Sequence, residues 1–81
     1  MPEMIPVDSS TIKSIGYQEE TEHIKSRLIV IFNSGGRYSY EDVPVDLWER
    51  FRISPSKGRF FAEEIKHNYR YRRSEAGEVG Q

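Results

Sequence analysis

Cysteine is absent from the chain, which excludes disulfide staples, thiol nucleophiles and zinc–thiolate centres. Histidine is nearly absent: His23 lies in an acidic stretch and His67 beside Lys66. Neither has paired ligands nearby, so no metal site and no cofactor is expected. No apolar run approaches the roughly 20 residues that a membrane-spanning helix needs. The segment Met1-Pro2-Glu3-Met4-Ile5-Pro6 lacks the basic-then-apolar order of a secretory leader. A cytoplasmic protein without membrane attachment is the expectation. Catalytic signals are also missing. The acidic pairs Glu19-Glu20, Glu41-Asp42 and Glu63-Glu64 are sequence neighbours whose side chains diverge on a strand or helix. General acid–base work instead needs carboxylates held in a pocket that splits their pKa values. The chain is therefore expected not to be an enzyme.

What the sequence has is aromatic mass and a charge split. Four Phe, five Tyr and one Trp supply the large side chains that an 81-residue domain needs for its core. The formal charge of −1 divides into −5 over residues 1–49, +6 over 50–73 and −2 over 74–81. Because screening limits charge effects to about 8–10 Å in physiological salt, the local values matter more than their total.

Residues 1–8 read as a lead-in, residues 9–73 as one domain and residues 74–81 as a disordered tail rich in Gly and Glu. Ser9 to Tyr17 is expected to be the first strand. Ile12, Ile15 and Tyr17 break a strict period of two, so either a bulge lies near Ser14 or one face changes partners there. Gly16 leaves room for a bulky neighbour, such as an aromatic from a helix. Arg27 to Phe32 is the clearest strand and is apolar on both faces, with Leu28, Val30 and Phe32 on one side and Ile29 and Ile31 on the other. Asn33-Ser34-Gly35-Gly36 is a hairpin turn. The third strand then presents Tyr38 and Tyr40 on one face, until Val43-Pro44 ends it. A helix over about 44–52 follows, with Asp46 in its first turn and Leu47, Trp48 and Phe51 inward. A second helix over about 55–67, capped by Ser54 or Ser56, buries Phe61 and Ile65, with Gly58 at an early turn or a close crossing. Tyr69-Arg70-Tyr71-Arg72-Arg73 reads as an extended segment docked by its tyrosines. The expected fold is α+β: a three-stranded antiparallel sheet followed by two helices packed on one face.

The basic segment carries the functional expectation. Lys57, Arg59, Lys66, Arg70, Arg72 and Arg73 are candidates for phosphate contacts, with Tyr69 or Tyr71 as stacking residues for an unpaired base. The bland account makes the tyrosines core and the charges a solvated helix surface. A second functional class is a protein-interaction module or homodimer through Ile29 and Ile31, joined by Ile12 or Ile15.

The order Ser14-Ile15-Gly16-Tyr17, Leu28-x-Val30-x-Phe32-x-Ser34-Gly35, Tyr38-x-Tyr40-x-x-Val43-Pro44, Ser56-x-Gly58-x-x-Phe61-x-x-x-Ile65 and Tyr69-x-Tyr71-x-Arg73 resembles the KTSC domain family over about residues 8–73. The family signature falls on Tyr38, Tyr40, Pro44, Ser56, Gly58 and Phe61. Ser54 stands where a small apolar residue is frequent in the family. The resemblance implies a small non-catalytic module, associated with lysyl-tRNA synthetases, that binds nucleic acid, with RNA favoured over DNA.

Overall fold

The computed structural model describes residues 3–75, so most of the tail expected at 74–81 lies outside the described residues. Strands β1 (Met4–Pro6), β2 (Ile12–Gln18), β3 (Arg27–Phe32) and β4 (Gly36–Glu41) precede helix α1 (Val45–Ile53). A short helix α2 (Lys57–Phe60) continues without a break into a π-helical segment, Phe61–Ile65, and strand β5 (Tyr71–Glu75) follows. The sheet is antiparallel throughout, with five strands in the order β1-β2-β3-β4-β5.

This corrects the three-stranded expectation at both margins. Met4–Pro6, read as part of a lead-in, pairs with β2 in the register Met4↔Gly16, Ile5↔Ile15 and Pro6↔Ser14. Pro6 is tolerated because it sits on an edge strand, where a missing N–H need not interrupt the ladder. The helices are followed by another strand: Tyr71–Glu75 runs along β4 with Tyr71 opposite Tyr40 and Arg73 opposite Tyr38. The second helix is also shorter than expected. Its helical residues run from Lys57 to Ile65, and the Lys66 N–H reaches five residues back to the Phe61 carbonyl at 2.9 Å.

Register decides which side chains share a face. Ile15, Val30, Tyr38 and Arg73 form one cross-sheet row, and Tyr17, Leu28, Tyr40 and Tyr71 the next. The register shift between Ile12 and Ser14 lets both Ile12 and Ile15 reach the core, as their spacing predicts. On this face they pack with Leu28, Val30, Tyr40, Val43 and the inward residues of the helices, Leu47, Trp48, Phe51, Phe61 and Ile65.

The corner between β4 and α1 is pinned by one acceptor. The Val43 carbonyl receives the Tyr17 hydroxyl at 2.6 Å and the buried Ser26 hydroxyl at 2.7 Å. Asp42 takes φ 59° there, and its N–H donates to the Ser26 carbonyl at 2.7 Å. Pro44 then presets the start of α1, which lays Trp48 flat on Tyr17 with centroids 5.5 Å apart.

The second face carries the rows Gly16, Ile29, Ser39, Arg72 and Ser14, Ile31, Arg37. Ile12 and Ile15 are not on it. A β-carbon at Gly16 would fall 2.6 Å from Met4 Sδ and 3.0 Å from the Glu3 carbonyl oxygen. The close neighbour is thus β1, not a helix aromatic. Ile29 is 4% exposed, so little of its apolar area is left for a partner.

Candidate nucleic-acid interface

Strand alternation along β4 and β5 brings Tyr38, Tyr40, Tyr71 and Arg73 to the helix side of the sheet. The π-helical segment crosses them with Phe61, and the turn after it carries Lys66 and His67. The turn between β3 and β4, with Asn33 and Ser34, and the loop at Ser10 and Thr11 close the sides. The result is an open groove of about 770 Å³ with an aromatic floor and basic residues in its lining.

The aromatic floor is graded from buried to exposed. Tyr40 is 2% exposed and meets the Phe61 ring edge-on at 5.5 Å. Tyr38 is half-buried and stacks on Tyr40 at 6.2 Å, with the Phe32 ring edge-on at 5.3 Å. Tyr71 is 54% exposed and lies against both, 5.4 Å from Tyr38 and 5.5 Å from Tyr40. The Arg73 guanidinium stands 5.7 Å from the centre of the Tyr38 ring, within cation–π range. Such a ladder can receive a flat ring at its exposed end while the buried end fixes its angle.

Burial, reinforced by repulsion from Tyr38 and Tyr71, pushes the Tyr40 phenol up to about 12. Its folded-state pKa lies above the value near 10 of an unfolded chain, so the native state retains this proton longer. The resulting stability is complete below pH 10 and is lost as pH rises toward 12. Urea midpoints measured from pH 9 to 12 are expected to fall. A Tyr40→Phe variant should lose the part of that slope due to Tyr40, roughly 2–3 kcal/mol across the range. An unchanged slope would contradict it.

The six basic candidates do not form one patch. Lys66 and Arg73 line the groove together with Tyr71. Arg72 lies in the row of Ser39 on the second face and pairs with Glu41 at 3.3 Å. Arg59 pairs with Glu63 at 3.2 Å, and Lys57 Nζ donates to the Ser54 carbonyl. Arg70 is exposed just before β5, with its carbonyl taking the Glu41 N–H at 2.8 Å. Tyr69 is half-buried against the core. Of the two stacking candidates, Tyr71 is the one at the groove.

Two further groove residues, Tyr38 and His67, stand outside the binding set expected from the sequence, although the sequence reading weighs His67 as a phosphate contact. Tyr38 is a core residue by its alternation, and only its pairing with Arg73 across the β4–β5 ladder reveals an accessible side. His67 is a helix-end surface residue by sequence, and the turn at 66–68 carries it into the groove lining. Among the described residues, no group of three or more His, Asp or Glu side chains could hold a metal ion. No described helix is long and apolar enough to cross a membrane.

Comparison with known proteins gives a consistent set of relatives. The model of the KTSC domain matches residues 8–69. A lysine–tRNA ligase of Trichormus variabilis is 32% identical over 68 residues, which are 84% of this chain and 11% of the ligase. The chain thus spans about a tenth of the length of that enzyme. A protein of Stutzerimonas stutzeri is 34% identical over 68 residues, covering 83% of this chain and 90% of its own length. The crystal structure of a KTSC domain protein from Yersinia pestis superposes with a TM-score of 0.81 at 35% identity, covering 91% of this chain and 99% of that one.

Proposed function

The chain belongs to the KTSC domain family, and from that premise we propose that it is a non-catalytic module that binds single-stranded RNA in the groove between β4, β5 and the π-helical segment. The carrying observation is the meeting of an exposed tyrosine, Tyr71, with Lys66 and Arg73 at one groove lining. Base stacking on an aromatic ring is tolerant of sequence, and phosphates follow neighbouring cations. Single strands suit this geometry better than duplexes, because a base must be free to leave its stack before it can lie on Tyr71. The lysine–tRNA ligases among the relatives act, by name, on an RNA, which favours RNA over DNA as the ligand.

The test is an anisotropy titration of a labelled single-stranded RNA at several salt concentrations. The logarithm of the affinity should fall linearly with the logarithm of salt, by a slope of about 0.7 for each phosphate contacted. Lys66→Glu is expected to weaken binding by about tenfold and to flatten that slope by about one contact. Arg72→Glu, on the second face, should have a clearly smaller effect. Absence of binding at low salt, or equal losses from the two variants, would overturn the proposal.

A further inference from the structure

Histidine is the side-chain type that passes from neutral to cationic between about pH 8 and 5. Among the described residues of the aromatic groove, His67 alone is of that type. The other titratable residues in the lining are a lysine, Lys66, an arginine, Arg73, and the tyrosines Tyr38, Tyr40 and Tyr71. Those types keep their charge state across the same interval.

The turn after the π-helical segment fixes where His67 stands. The Asn68 side-chain amide donates to the Glu64 carbonyl at 2.8 Å, and the Asn68 N–H donates to the Ile65 carbonyl at 3.1 Å. His67 itself is exposed, so an incoming ligand can reach its ring. No carboxylate is among the described residues that line the groove. The carboxylates nearest in sequence, Glu63 and Glu64, are engaged elsewhere, by Arg59 at 3.2 Å and by Arg50 at 3.7 Å. A proton on His67 therefore adds a third cation to Lys66 and Arg73 in a lining that holds no anion. Such a set attracts an anion from outside the chain.

We infer that His67 is a proton-dependent phosphate contact, which makes the groove bind single-stranded RNA more tightly as pH falls. The inference rests on the RNA-binding reading above and adds a regulation to it. With a base on Tyr71, the phosphate that meets Lys66 also meets the ring of the next residue. A phosphate that favours the charged ring binds more tightly once the proton is on. By linkage, the ring holds that proton more firmly while the phosphate is bound.

Hexauridylate without a terminal phosphate is the probe, because neither its bases nor its phosphodiesters change charge over this interval. Anisotropy titrations of the full chain should show binding about three- to tenfold tighter at about pH 5.5 than at about pH 8, with a salt slope steeper by about 0.7. His67→Gln should bring that ratio close to one. His67→Lys, whose type keeps its charge at both values, should also flatten the ratio while binding more tightly than His67→Gln. The chain's two histidines add a direct readout. In an NMR titration near neutral pH, hexauridylate should move the His67 ring resonances toward their low-pH positions. Those of His23, which is outside the groove lining, should stay in place. A wild-type ratio near one, the same ratio in His67→Gln, or a His67 ring that does not respond would overturn the contact and leave the RNA reading standing. A wild-type chain that binds hexauridylate at neither pH would overturn both.

Discussion

Replacing Tyr71 with alanine should lower the affinity for single-stranded RNA by about 5- to 150-fold, the range expected when one base loses an aromatic stacking partner. Stability should change much less. Tyr71 is 54% exposed and stands at the open end of the Tyr40–Tyr38 ladder, so its ring covers neighbours without filling the core. Tyr71→Phe keeps the ring and should retain most of the affinity, because stacking does not require the hydroxyl. Isothermal calorimetry of the three proteins with one oligonucleotide gives the comparison. Equal affinities for wild type and Tyr71→Ala would remove the ring from the binding surface and leave charge alone to account for any binding.

Truncation of Phe51 to alanine has the largest expected effect on stability. Phe51 is fully buried, is stacked on Phe60 at 5.2 Å, and is the largest of the side chains completely removed from solvent. Phenylalanine-to-alanine changes at such sites lose about 3–5 kcal/mol, because the transfer term and the residual cavity add. A domain of 81 residues has only about 4–12 kcal/mol in total at typical values per residue. The variant should therefore show a much lower urea midpoint with little change in slope, and lie close to unfolded at 37 °C. A midpoint shift corresponding to less than about 1 kcal/mol would mean that α1 and α2 rearrange to fill the space.

The two effects divide the aromatic inventory into residues that build the domain and residues that its architecture leaves accessible. The sequence makes the first group legible. Leu28, Val30 and Phe32 alternate cleanly, Asn33-Ser34-Gly35-Gly36 marks the hairpin, and Pro44 with Leu47, Trp48 and Phe51 marks α1. Each of these signals is local. The broken period at Ile12 and Ile15 marks an irregularity with two readings, and the register shift between Ile12 and Ser14 selects the bulge, the extra residue that turns both side chains inward.

The second group depends on pairing between distant segments. Tyr71 and Arg73 join Tyr38 only because β5 returns to β4 after the helices, and nothing within Tyr69-Arg70-Tyr71-Arg72-Arg73 names its partner strand. Extended geometry is readable there; membership of the sheet is not. For the same reason Arg72 and Arg73 look like one basic cluster in sequence and point to opposite faces in the fold. Tyr38 is ambiguous in a different way. It has one side in the core and another toward the groove, while hydrophobic patterning assigns one environment to each residue.

The strands that escaped the sequence reading are the two outermost, where a further strand could add to the sheet. An unpaired strand margin is a template on which another chain can lengthen the sheet. On one side Pro6 lacks the amide hydrogen that such growth would use, within a strand of only three residues. On the other, Arg72 and Arg73 are exposed on opposite faces of β5, so a like strand laid against it would bring cation to cation. Proline and positive charge weaken a strand's signature in the sequence, and the same chemistry disfavours the addition of another strand at a sheet edge.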